Sequence, residues 1–151
     1  MRLVSGVTME LSGEHVFNMP REQVYKMMLD PEVLKKSLPG CEKLEAIGED
    51  EYAATMKIGI AMIKGTFSGK VKITDKVEPE SYTMHIEGSG PQGQVNGSGK
   101  LEFIEDGDKT TVKYAGDASV SGTIARVGAR MIQPAARTIA GQFFKSIESN
   151  G

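Results

Sequence analysis

The sequence predicts a single α+β domain in which a curved antiparallel sheet of about six to seven strands wraps one long C-terminal helix, with two short helices after the first strand. Three patterns predict it. Through the middle of the chain apolar side chains recur at every second position, the period of half-buried strands. From Ile124 to Ile147 apolar or small residues fall three and four apart, which is one broad helical face. Between the first alternating run and the rest stand short helical signals and proline punctuation.

Met9, Leu11, Gly13, His15 and Phe17 alternate with polar neighbours and form the first strand, which Asn18-Met19-Pro20 stops. Val24, Met27, Met28 and Leu29 space a short helix. Asp30-Pro31 reads as an N-cap with proline at the first helical position of a second, around Glu32 to Leu38, which ends at Pro39-Gly40. Five alternating runs follow: Tyr52, Ala54, Met56 and Ile58; Phe67, Gly69, Val71 and Ile73; Tyr82, Met84 and Ile86; Leu101 and Phe103; Val112 and Tyr114. Their opposite faces carry lysine, threonine and glutamate, as in an antiparallel sheet wetted on one side. Turns are marked by Gly48-Glu49-Asp50, Glu78-Pro79-Glu80 and Glu105-Asp106-Gly107-Asp108. Pro134 falls inside the long helix and is expected to bend it.

At 151 residues the chain forms one domain, 1–151, long enough to bury roughly 70% of its unfolded surface. With 25% charged and 39% hydrophobic residues it has the composition of an ordinary soluble globular protein, and a net charge of -2 argues against a general nucleic-acid binder. Cys41 is the only cysteine, which excludes an intrachain disulfide and a cysteine-held metal cluster and makes the cytoplasm the expected compartment. Met1 to Gly6 lacks a hydrophobic signal core, and Ile58 to Ile63 is far too short to span a bilayer. Membrane contact is expected to be peripheral at most.

Gly88-Ser89-Gly90-Pro91-Gln92-Gly93 matches the dinucleotide fingerprint formally. It precedes a strand rather than a helix and contains a proline, so it reads as a hairpin turn. His85 falls on the polar face as a solvated residue; His15 falls on the apolar face of the first strand as a core histidine. Neither has a metal-spaced partner, and no catalytic residue or metal site is assigned.

The interior is rich in small residues. Ala54, Gly69, Gly97, Gly99 and Gly116 punctuate the sheet's apolar face, and Gly128, Ala135, Ala136 and Ala140 the helix face that covers it. Small residues facing small residues either bring backbones close or leave a cavity. The expected walls of such a cavity are Met56, Ile58, Phe67, Met84, Ile86, Leu101, Phe103, Tyr114, Met131, Ala135 and Ile139. The same stripe also fits a filled core, and the residues alone leave both readings open.

The stretch from Asp30 to Leu44, with Pro39-Gly40-Cys41 at its centre, resembles the signature of the CoxG family, named for the G subunit of carbon monoxide dehydrogenase. So do Gly65 to Val71, Gly97-Ser98-Gly99, Val120-Ser121-Gly122, Gly128-Ala129-Arg130 and Gln142-Phe143-Phe144. The resemblance implies the helix-grip fold of the START-like (SRPBCC) superfamily, with a deep apolar cavity between sheet and helix. It further implies a non-enzymatic accessory role beside a molybdenum hydroxylase such as carbon monoxide dehydrogenase, and a lipophilic ligand, quinone or lipid, with no covalent cofactor. Some members carry a membrane-anchoring tail; this sequence ends at Gly151, which puts stable anchoring in doubt. Two alternatives stand beside the carrier: a cyclase or hydratase using the same cavity, and a structural adaptor for membrane recruitment.

Two surface features complete the reading. Ile58 to Gly65 is apolar enough to form a lid or docking edge at the cavity mouth. Arg126, Arg130, Arg137 and Lys145 stand on the outer helix face against one acid, Glu148, an asymmetry suited to an anionic surface or an acidic partner.

Overall fold

The first strand, β1 (Val7–Phe17), ends before Pro20, and α1 (Arg21–Met27) and α2 (Pro31–Ser37) follow. Asp30 caps α2 as its position foretells, its carboxylate accepting the Glu32 N–H at 2.9 Å while Pro31 opens the helix. Six strands come next: β2 (Cys41–Gly48), β3 (Glu51–Ile60), β4 (Ile63–Val77), β5 (Ser81–Gly90), β6 (Gly93–Asp106) and β7 (Lys109–Ser121). A 3-10 turn at Thr123–Val127 leads into the C-terminal helix α3 (Ala129–Ser149). The computed structural model describes residues 6–60 and 63–150, without the side chains of residues 60 and 63. The expected lid edge at the β3–β4 hairpin therefore lies partly outside the described residues.

All seven strands form one antiparallel sheet in the order β1-β7-β6-β5-β4-β3-β2. Each strand from β2 to β6 pairs with its successor, and β1 closes the far side against β7. The connection from β1 to β2, the two edges, is made by α1 and α2. α3 lies along β1 and reaches α2 at its C-terminal end, where the Asn150 amide donates to the buried Ser37 hydroxyl at 3.3 Å. It also covers the free edge of β1: the Gln133 amide donates to the Glu10 carbonyl at 2.7 Å, and the Asn18 N–H donates to Glu148 Oε2 at 3.1 Å.

Two elements differ from the sequence expectation. β2 carries no alternation, because it is an exposed edge strand broken by two register shifts, and nearly all its side chains are wet. The stripe from Ile124 to Ile147 is not one helix. Gly128 adopts φ 81°, a conformation that breaks the helical ladder, and it divides the 3-10 turn from α3. Glycine fits an apolar stripe as well as it fits a break, so spacing alone cannot separate the two.

Candidate ligand-binding site

The inner face of the sheet is defined by register. One row runs Ile73, Met84, Gly99, Gly116 and Leu11 across five strands; the next runs Val71, Ile86, Gly97, Ala118 and Met9. α3 covers this face, and the apolar contacts between them fall into two separate clusters. The first packs Phe17, Val24, Tyr25, Met28, Tyr82, Leu101, Phe103 and Val112 against Phe143, Phe144 and Ile147 at the C-terminal end of α3. There the Tyr82 hydroxyl donates to the Met28 carbonyl at 3.3 Å, and the Thr110 hydroxyl to the Met19 carbonyl at 2.8 Å. The second packs Met9, Phe67 and Val120 against Ile124, Ala125, Ile132 and Ala135 at the other end.

Between the clusters the packing is incomplete. Ala136 and Ile139 lie at the centre of the helix stripe in neither cluster and are only half-buried, while residues toward both ends of the same stripe are buried and Ala140 packs against the first cluster. Opposite them Gly97, Gly99 and Gly116 remove side chains from the sheet, and Ile86 is 45% exposed although it lies on the inner face. A close-packed interior leaves no such surface. The middle of the grip is thus less closely packed than its ends, a trough in the sense that Ala136, Ile139 and Ile86 stay partly open to solvent.

The sequence-assigned wall residues divide among these three regions. Leu101 and Phe103 fill the first cluster, with Met84 and Tyr114 packed on its border. Phe67 and Ala135 belong to the second, with Ile58 on its border. Met56, Ile86, Met131 and Ile139 belong to neither. Met131 is 48% exposed, on the flank of α3 away from β1.

The glycines do two things at once. A methyl group on Gly116 would run into the Ser98 carbonyl and Gly99 Cα, and one on Gly69 into the Glu87 carbonyl, so they allow neighbouring strands to approach as well as clearing the trough floor. Aromatic rings cover two others: Phe67 lies over its cross-strand neighbour Gly90, and Tyr114 over Gly13.

His15 has a partner that sequence order concealed. Its Nε2 lies 3.1 Å from Glu148 Oε1, its ring stacks on Phe144 at 5.8 Å, and Phe17 meets it edge-on at 4.7 Å. Glu148 thus belongs to the seam between β1 and α3, not to the outer cationic face. A signal was available: Gln133, Arg137, Phe144 and Glu148 share a second helical stripe beside the first. Arg126, Arg130, Arg137 and Lys145 are exposed, and no ion pair holds them among the described residues.

The Asn18 N–H, then His15, holds the Glu148 carboxyl below the usual carboxylate range. A depressed carboxylate stabilises the fold above its unfolded pKa and loses that contribution as pH falls through its folded value. Glu148→Gln is therefore expected to melt lower than the parent at pH 7, with the difference shrinking as the pH drops below 4.5. A difference independent of pH would contradict the ionic origin.

Other titratable groups offer little to a reaction. Burial pushes the Tyr82 hydroxyl far up, keeping it neutral, and pushes the Cys41 thiol up as well. Burial raises Tyr114 too, partly offset by the nearby Arg137 charge. His85 is exposed and meets the Thr74 hydroxyl at 3.0 Å. Among the described residues no three His, Cys, Asp or Glu side chains converge as metal ligands, and no helix is long and apolar enough to cross a membrane. An open depression of about 550 Å3 is lined by charged and polar groups, among them Lys70, His85, Glu87 and Asp117, together with Ile86, Gly97 and Ala118.

The family model for CoxG, the G subunit of carbon monoxide dehydrogenase, matches residues 13–150. The chain belongs to the CoxG family. A conserved protein from Geobacillus kaustophilus of known structure is 33% identical, with 94% of each chain covered and a TM-score of 0.91. Truncated norcoclaurine synthase from Thalictrum flavum (18% identity, 98% of this chain and 96% of that chain, TM-score 0.69) shares the fold. So does the ZhuI aromatase/cyclase from Streptomyces sp. R1128 (11% identity, 95% and 93%, TM-score 0.71). No curated protein sequence matches significantly. This CoxG chain therefore has the START-like helix-grip fold.

Proposed function

We propose that this CoxG protein is a non-enzymatic carrier that holds a lipophilic molecule, a quinone or a lipid, in the trough and serves a molybdenum hydroxylase such as carbon monoxide dehydrogenase. The observation that carries the reading is the half-burial of Ala136 and Ile139, which join neither cluster, at the centre of a stripe whose two ends are packed. Apolar walls with flexible methionines at Met56 and Met84 suit an adaptable apolar guest. The family name supports a redox-enzyme partner. The exposed cations of the last helix, with exposed Val127 and Met131 beside them, support peripheral contact with an anionic membrane surface. Native mass spectrometry before and after solvent extraction tests the proposal. A lipophile lost on extraction and regained on incubation with a quinone or lipid supports it; an unchanged bare mass with no uptake contradicts it.

A cyclase-type enzyme is the second reading, favoured by the His15–Glu148 pair, a histidine oriented by a carboxylate. The pair lies at the β1–α3 seam with His15 stacked on Phe144 and met edge-on by Phe17, which favours the carrier.

A further inference from the structure

The 3-10 turn Thr123–Val127 forms the end wall of the trough. Ile124 and Ala125 are buried in the second cluster against Phe67, Ile132 and Ala135, while Arg126 and Val127 face outward. Gly122 and Gly128 bracket this five-residue segment at φ 90° and 81°, where other residues are strained. Gly128 has open space around it: a methyl group there would meet nothing within 4 Å. Gly122, by contrast, lies against Gly93 and the Gln92 carbonyl, so the segment is loose at its α3 end and packed at its β7 end.

Beyond the packing of Ile124 and Ala125, one residue ties it down. The Gln92 carbonyl accepts from both the Thr123 hydroxyl at 3.0 Å and the Ile124 N–H at 2.8 Å. The Gln92 side chain reaches the other way, its Oε1 accepting the Lys64 N–H at 2.8 Å. Gln92 thus joins the β5–β6 turn, the start of β4 and the end wall, three segments that otherwise meet at one end of the trough.

We infer that Gln92 is the latch of a gate: the Thr123–Val127 segment swings out about Gly122 and Gly128, withdrawing Ile124 from the trough, and Gln92 holds it shut. The inference rests on the carrier reading of the trough. It assigns Gln92 and Thr123 as positioning residues for ligand exchange, with no contact to the ligand required. A latch changes the barrier to entry and exit alike, so loosening it raises both rates and leaves affinity nearly unchanged.

The test is stopped-flow binding of N-phenyl-1-naphthylamine, a neutral fluorescent lipophile, to the parent, Thr123→Ala, Thr123→Ser and the double variant Gln92→Ala/Thr123→Ala. Thr123→Ala should raise association and dissociation rates about two- to tenfold, the range for one lost hydrogen bond, with the double variant faster still and Thr123→Ser at parent rates. Rates equal to the parent in both alanine variants, or a weaker affinity with unchanged association, overturn the latch while the carrier reading stands. A parent protein that takes up neither this probe nor a quinone overturns both. Hydrogen exchange on the parent covers the case of a variant that does not fold. The amides of Ile124 and Gly128 should exchange about tenfold faster than those of Val120 and Ile132, and equal protection overturns the gate.

Discussion

Phe103→Ala is expected to lower the unfolding free energy by about 3–5 kcal/mol, the cost of emptying a packed aromatic site. Phe103 is 2% exposed, and its ring lies 5.1 Å from that of Tyr25 and 5.6 Å from that of Tyr82. These rings join α1 to β5 and β6 across the closed end of the grip, so no neighbour is free to fill the hole. Urea unfolding measures the loss. A change under about 1 kcal/mol would show that this end is as loosely packed as the trough.

The opposite outcome is expected at Ala136→Phe. On the carrier reading, its half-buried position at the centre of the helix stripe, outside both clusters, sends a new ring into the trough. Retention of a fluorescent lipophile should fall more than about tenfold while the unfolding free energy stays within about 1 kcal/mol of the parent, below the usual overpacking cost of about 1–3 kcal/mol. Ala135→Phe, one residue away but buried in the second cluster, is the control and should incur that cost. Strong destabilisation by both, with lipophile binding unchanged in each, would mean that the stripe is core throughout. Gly128 is a poor site for this comparison, since its positive φ strains any substitute whatever space lies beyond it.

Much of the architecture is legible in the sequence because each strand buries one face. Alternation places β1 and β3 to β7, and Asp30-Pro31 places α2. The run from Gly88 to Gly93 is the β5–β6 hairpin, with Pro91 and Gln92 at its tip, so the formal nucleotide fingerprint is a turn and not a phosphate loop. β2 is silent because an edge strand wet on both faces has no period to show. Gly128 is silent because a helix break and a small helical residue have the same letter.

The site is legible as a composition and illegible as a geometry. Small residues on two facing elements announce that something unusual happens between them. Whether Gly99 and Gly116 bring strands together or clear a floor depends on their direct pairing across β6 and β7, and they do both. Leu101 and Ile86 occupy like positions in alternating runs, yet one is core and the other faces open space. Which end of the grip is filled is decided by where α1 and the 3-10 turn dock, a long-range matter that no local pattern carries. The pairing of His15 with Glu148 joins residues 133 positions apart.

The methionines give the most direct test of the trough. Met56 and Met84 lie on the inner face beside it, whereas Met19, Met27 and Met28 are buried in the first cluster at the closed end. Carbon-13 labelling of the methionine methyl groups lets NMR follow each during titration with a short-chain quinone or a lysolipid. Saturable shifts at Met56 and Met84, with Met19, Met27 and Met28 unmoved, are the predicted result. Shifts confined to the closed end, or none at saturating ligand, would contradict a lipophile-binding trough.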